Sequence, residues 1–178
     1  ARGKPLQLAN VFVGANGSDN GRHCRRYAKA RTSPDRRGAT LCRTFDRAYR
    51  LAARGDTIEV EAGNYPAQTI SEKTNSRAPA VLLVPARSGR VKIDSLTTGA
   101  SWLTIRNVTI ATGHEHERGW FSTGSNITLD HVNITGPWAN VQITGGSNVT
   151  WKNSGLGTPR NTEKRICGTG DGEPVQLS

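Results

Sequence analysis

Three charged residues recur at near-equal spacing in the second half of the chain: Arg106, Asp130 and Lys152, 24 and then 22 residues apart. Two cations around a carboxylate suit the handling of an anionic sugar. Lys152 or Arg106 would hold the sugar carboxylate, and one of them could abstract the proton beside it, the opening step of a β-elimination. That step needs the carbon acid strengthened by a cation or a metal. Calcium is the ion such a lyase would take, and it wants several carboxylates converging on it. A glycosidase wants two carboxyl groups flanking the scissile bond. The polar positions of residues 101–156 that align with these three supply one carboxylate, Asp130. The plainer reading is an exposed ladder of ion pairs, which adds little to stability. Trp120 and Trp138 are candidates for stacking on sugar faces. Trp120 is expected to point outward, in a column that continues as Gln142 and Gln176. The loop GHEHERGW, 113–120, holds His114, Glu115, His116 and Glu117 without the His-x-x-x-His spacing of zinc hydrolases, so no metal site is assigned there.

The elements that would bring 106, 130 and 152 together are written in the sequence three times. SWLTIRNVTI (101–110), SNITLDHVNI (125–134) and SNVTWKNSGL (147–156) stack column on column. Leu103, Ile127 and Val149 align, as do Ile105, Leu129 and Trp151, then Val108, Val132 and Ser154, then Ile110, Ile134 and Leu156. Alternate apolar positions read as short strands with one face inward. The alternation breaks at Asn107, His131 and Asn153, where a corner in the left-handed conformation is expected. No single phrase can bury its own apolar face, whereas stacked copies can. The outward column Arg106, Asp130, Lys152 would then stand about 4.8 Å per step.

GWFSTG (119–124) and VQITGG (141–146) each precede a phrase by the same offset, which puts Phe121 and Ile143 in one inward column, with Leu177 of EPVQLS continuing it. TIEVEAG, AVLLVPA and VKID (57–63, 80–86, 91–94) are earlier rungs. A period of 22–24 residues with several short strands predicts a parallel β-helix. Leucine-rich repeats share the period but need a signature and helices that are missing. An antiparallel sandwich would not require matched columns. Five Asn-x-Ser/Thr sequons, at Asn16, Asn107, Asn126, Asn133 and Asn148, are read mainly as corner chemistry of the repeat rather than as glycosylation sites.

The first 50 residues hold 12 Lys/Arg against 3 Asp/Glu, whereas the rest of the chain is nearly neutral, so most of the net charge of +10 sits at the N-terminal end. Such a segment attracts polyanions. No helix-turn-helix, zinc-finger or RNP pattern directs it to nucleic acid. Cys24 and Cys42 enclose a polar loop that a disulfide would fix, in an oxidising compartment. Cys167 is left to pair elsewhere or stay free. TFDRAYRLAAR, 44–54, predicts a short cap helix with Thr44 as N-cap and Gly55 closing it. No apolar run reaches the roughly 20 residues of a membrane span.

The block VFVGANGSDNG…LCRTFDRAYRLAARGDTIEVEAGNYP, over 11–66, resembles the opening of secreted right-handed parallel β-helix proteins of the pectin-lyase-like superfamily. The matching residues are Val13, Gly17, Asp19, Ala48, Tyr49, Gly55, Asp56, Thr57, Ile58, Val60, Gly63 and Tyr65. The resemblance implies an extracellular protein acting on polysaccharide, with substrate along the outer face of a parallel sheet.

The sequence therefore predicts an all-β, right-handed parallel β-helix. Residues 1–55 form the strand, basic disulfide-bearing loop and cap helix, and 56–178 the rungs of a single domain. No cap follows Leu177, so the last rungs are expected to continue in a longer polypeptide. The expected function is binding or cleaving an acidic polysaccharide, as a lyase or glycoside hydrolase. The alternative is a non-catalytic structural or adhesive β-helix such as a tailspike segment.

Overall fold

A computed structural model describes residues 7–34, 40–73, 76–87, 89–113, 118–136, 141–157 and the strand 175–177. Its strands form three all-parallel sheets wound as a β-solenoid of about 4 turns. The six-stranded sheet runs β1 (Val11–Val13), β2 (Thr57–Val60), β5 (Val81–Pro85), β8 (Leu103–Arg106), β11 (Ile127–Asp130), β14 (Val149–Lys152). One five-stranded sheet contains β3 (Gly63–Tyr65), β6 (Val91–Ile93), β9 (Val108–Ala111), β12 (Asn133–Thr135) and β15 (Gly155–Leu156). The other contains β4 (Gln68–Ile70), β7 (Leu96–Thr98), β10 (Trp120–Ser122), β13 (Val141–Ile143) and β16 (Val175–Leu177).

The expected columns are the observed register. Leu129 pairs with Ile105 on one side and Trp151 on the other, and Ile134 sits between Ile110 and Leu156. Ile105, Leu129, Ile110 and Ile134 are wholly buried. The corners Asn107, His131 and Asn153 take φ of +57°, +55° and +51°. A second corner, just before the six-stranded sheet, takes φ of +56° at Trp102, +57° at Asn126 and +55° at Asn148. Asparagine tolerates this region, whereas the bulky Trp102 is strained there.

Register in the β10 sheet differs from expectation by one residue. Trp120 pairs with Val141 and Leu96, Phe121 with Gln142, and Ser122 with Ile143. Ser122, not Phe121, therefore shares the Ile143 column. The physical reason is the corner that follows. Four residues, 123–126, link β10 to β11, but five, 144–148, link β13 to β14. The added residue is absorbed by Gly145 at φ +73°, with open space around it. Gly146 and Gly124 stay stacked, each with its Cα face against the carbonyl of the rung before: a Cβ at Gly124 would lie 1.8 Å from the Ala100 oxygen. An offset of one residue exchanges the faces of a strand.

At the first rung, α1 (Phe45–Leu51) packs Phe45, Ala48 and Tyr49 into the core as a cap. Thr44 is its N-cap and accepts from the Arg47 N–H, as the sequence predicts. Asp19, part of the opening block, accepts from the Arg43 and Thr44 amides and from the Thr44 hydroxyl, pinning the loop to the helix start. The chain leaves the helix at Ala52, and Gly55 turns at φ +76° into β2. Cys24 and Cys42 form the expected disulfide. Cys167 lies outside the described residues. On β1, Val11 and Val13 join the main core while Phe12 faces the other way, under Tyr27 and Leu41. The basic loop thus covers the outer face of the six-stranded sheet at its first strand. No helix among the described residues is long and apolar enough to cross a membrane.

Candidate functional site

Arg106, Asp130 and Lys152 are brought together as neighbours on β8, β11 and β14, paired in register. Their column belongs to the outer face because it alternates with the buried Ile105 and Leu129. Asp130 is nevertheless only 8% exposed, because its neighbours fold over it. Arg106 Nε donates to Oδ2 at 3.0 Å, and Asn153 Nδ2 donates to Oδ1 at 3.0 Å. His131 Nδ1 lies 2.8 Å from Oδ1, with its own side chain 59% exposed. The hydrogen bond from Asn153 does most to hold the Asp130 carboxyl down, at about 2. Those from His131 and Arg106 and the charge of Lys152 add to it, against the opposing effect of burial.

The corner conformation is what assembles this cluster. The turn at His131 sends the chain from β11 into β12, and the His131 amide donates to the Lys152 carbonyl of the next rung. The Asn107 amide donates to the Asp130 carbonyl in the same way. Corner side chains from consecutive rungs therefore crowd around one carboxylate. Sequence reading placed His131 and Asn153 as corners and missed them as partners of Asp130. The signal was available: both directly follow a member of the charged column.

The same column contains a second carboxylate that the sequence reading passed over. Glu59 on β2 pairs with Val84, which follows Leu83 as Arg106 follows its partner Ile105. Burial raises the Glu59 carboxyl, and the charge of Glu61 raises it further. The two carboxylates of the column are thus pushed in opposite directions. They stand three strands apart in the sheet, about 14 Å at the usual strand spacing. Both Asp130 oxygens accept hydrogen bonds from side chains, and among the described residues no three of His, Cys, Asp and Glu converge on a metal-sized point. This donor set does not fit calcium.

Trp120 is not an outward ring. It is wholly buried, and its Nε1 donates to Thr98 Oγ1 at 3.0 Å inside the solenoid. The one-residue offset gives the outward place beside Gln142 to Phe121, and Gln142 continues to Gln176 as expected. The Arg118 guanidinium lies over the Phe121 ring, 4.9 Å from its centroid. Trp138 and the segment His114–Glu117 lie outside the described residues.

The arrangement defines a parallel β-solenoid with a column of mixed charge, Arg106 and Lys152 on either side of Asp130, on the outer face of one sheet. Compared with known proteins, the chain matches no family model, no curated protein and no solved structure.

Proposed function

We propose that the chain is a secreted β-helix protein, of the pectin-lyase-like kind, that binds an acidic polysaccharide along the outer face of its six-stranded sheet. The observation that carries this reading is the register of Arg106 and Lys152 on either side of Asp130. Two cations spaced by strands suit a polymer whose carboxylates recur along its length, and Asp130 keeps the Arg106 guanidinium oriented. The arginine-rich loop, on the same face near β1, extends the positive field that draws such a polymer in. The Cys24–Cys42 disulfide supports an oxidising compartment.

If the bound polymer is cleaved, elimination fits better than hydrolysis. A glycosidase places its two carboxyl groups roughly 5–9.5 Å apart and keeps one protonated. Asp130 and Glu59 are too far separated for that, and Asp130 is held as the anion. Affinity electrophoresis of the protein through gels containing polygalacturonate, alginate or a neutral glucan tests the reading. Retardation by the polyuronates and not by the glucan is the expected result. Equal mobility in all gels would overturn it.

A further inference from the structure

The corner column Asn107, His131, Asn153 has the same left-handed backbone in three consecutive rungs. Asparagine serves that backbone on both sides, so the corner itself does not require an imidazole at 131. What histidine adds is a ring whose Nδ1 is 2.8 Å from Asp130 Oδ1 while the side chain stays mostly in solvent. A carboxylate only accepts hydrogen bonds. In the neutral ring the hydrogen must therefore sit on Nδ1, leaving the lone pair on Nε2. The charged groups around the ring are Asp130 beside it, Arg106 of β8 on the far oxygen of that carboxylate, and Lys152 of β14 in the next rung.

Resting on the acidic-polysaccharide reading, we propose that His131 is the catalytic base of a β-elimination. Asp130 is its positioning residue, and Arg106 and Lys152 are the cations at the substrate carboxylate. Nε2 takes the proton from C5 of the uronate. The freed electron pair becomes the C4=C5 double bond, and the C4–O4 bond breaks. O4 departs with that bond's pair and takes a proton from water, and the imidazolium returns its own to solvent. No oxidant, reductant or further reactant is required. Arg106 and Lys152 stabilise the charge that builds on the carboxylate as C5 loses its proton. Asp130 stabilises the imidazolium that forms, the role of the carboxylate in any Asp–His pair.

The test compares the full chain with His131→Asn, the residue found at the neighbouring corners, so that the backbone is preserved. Polygalacturonate and alginate are the probes. Affinity is read by calorimetry and cleavage by the ultraviolet absorbance of the unsaturated product. His131→Asn should keep its affinity within about twofold and lose at least about 100-fold in kcat. Nitrogen-15 NMR should find the Nδ1–H tautomer in the neutral wild-type ring and a mixture in Asp130→Asn. A His131→Asn chain that cleaves at the wild-type rate, a wild-type chain that binds without cleaving, or an Nε2–H tautomer would each overturn His131 as base and leave the binding reading intact. Failure to bind either polymer would overturn both.

Discussion

The rung of β10, β11 and β12 and the rung of β13, β14 and β15 share one register and differ in closure. In the first, Trp120, Ile127, Leu129 and Ile134 are fully buried. In the second, Val141 is still buried beside Trp120, but Val149, Trp151 and Leu156, the counterparts of Ile127, Leu129 and Ile134, are only partly buried, and the buried Trp151 Nε1 has no hydrogen-bond partner among the described residues. The first rung is flanked on both sides in all three sheets. Beyond the second, the described residues add only β16, beside β13. A solenoid strand is sealed by the strand one turn further on, so burial here is a property of neighbours about 22 residues away and not of local sequence. The chemistry follows the same rule: the hydrogen bond that does most to keep Asp130 ionised comes from Asn153 in the next rung.

The largest contrast should come from the two indoles. Trp120→Ala is expected to cost about 3–5 kcal/mol in denaturant unfolding, and Trp151→Ala less than half of that. Equal costs would mean that the two rungs are equally closed. Phe121→Ala should cost less than Trp120→Ala, and the reverse order would restore the offset read from sequence. The glycine corners come next. Gly124→Ala drives a Cβ into the Ala100 carbonyl, so roughly 1–3 kcal/mol or more is expected. Gly145→Ala meets no neighbour and should cost only the positive-φ penalty of about 1 kcal/mol. Thermal melts that rank the two the other way would contradict the stacking of these corners.

Smaller still is a gain. Trp102 occupies the corner that Asn126 and Asn148 fill in the next two rungs, and Trp102→Asn should stabilise by up to about 1 kcal/mol. A lower melting temperature would show that the ring's packing outweighs its backbone strain. The last contrast is one of pH. Asp130 is lowered from the usual 3.8 to about 2. Its contribution to stability is therefore complete above its unfolded value and fades as pH falls toward the folded one. The melting-temperature gap between wild type and Asp130→Asn should narrow between pH 4 and pH 2. A gap that is flat across that window would mean the carboxylate is not held as described.

The repeat phrases were legible because two independent signals, alternating apolar positions and the Asn/His corners, mark the same register at 103–110, 127–134 and 149–156. The cap helix was legible from Thr44 and its apolar side, and the disulfide from the loop that it closes. The β10 sheet was not, because its strands are three residues long and its corners differ by one glycine. Counting back from the phrases therefore reversed Trp120 and Phe121. The charged column followed from the repeat, but the partners of Asp130 did not. They come from corners of different rungs, and a one-dimensional pattern aligns His131 with Asn153 without bringing Asn153 to the carboxylate of residue 130.

The central claim is that Arg106 and Lys152, stacked across Asp130, form the binding site for an acidic polysaccharide. Its most direct test is the dissociation constant for a uronate oligomer in two variants of equal charge, Arg106→Ala with Lys152→Ala and Arg50→Ala with Arg54→Ala. The first pair should weaken binding at least about tenfold and the second less than about twofold. Equal weakening by both would mean that net charge alone holds the polymer and that the column is an ordinary ladder of surface ions.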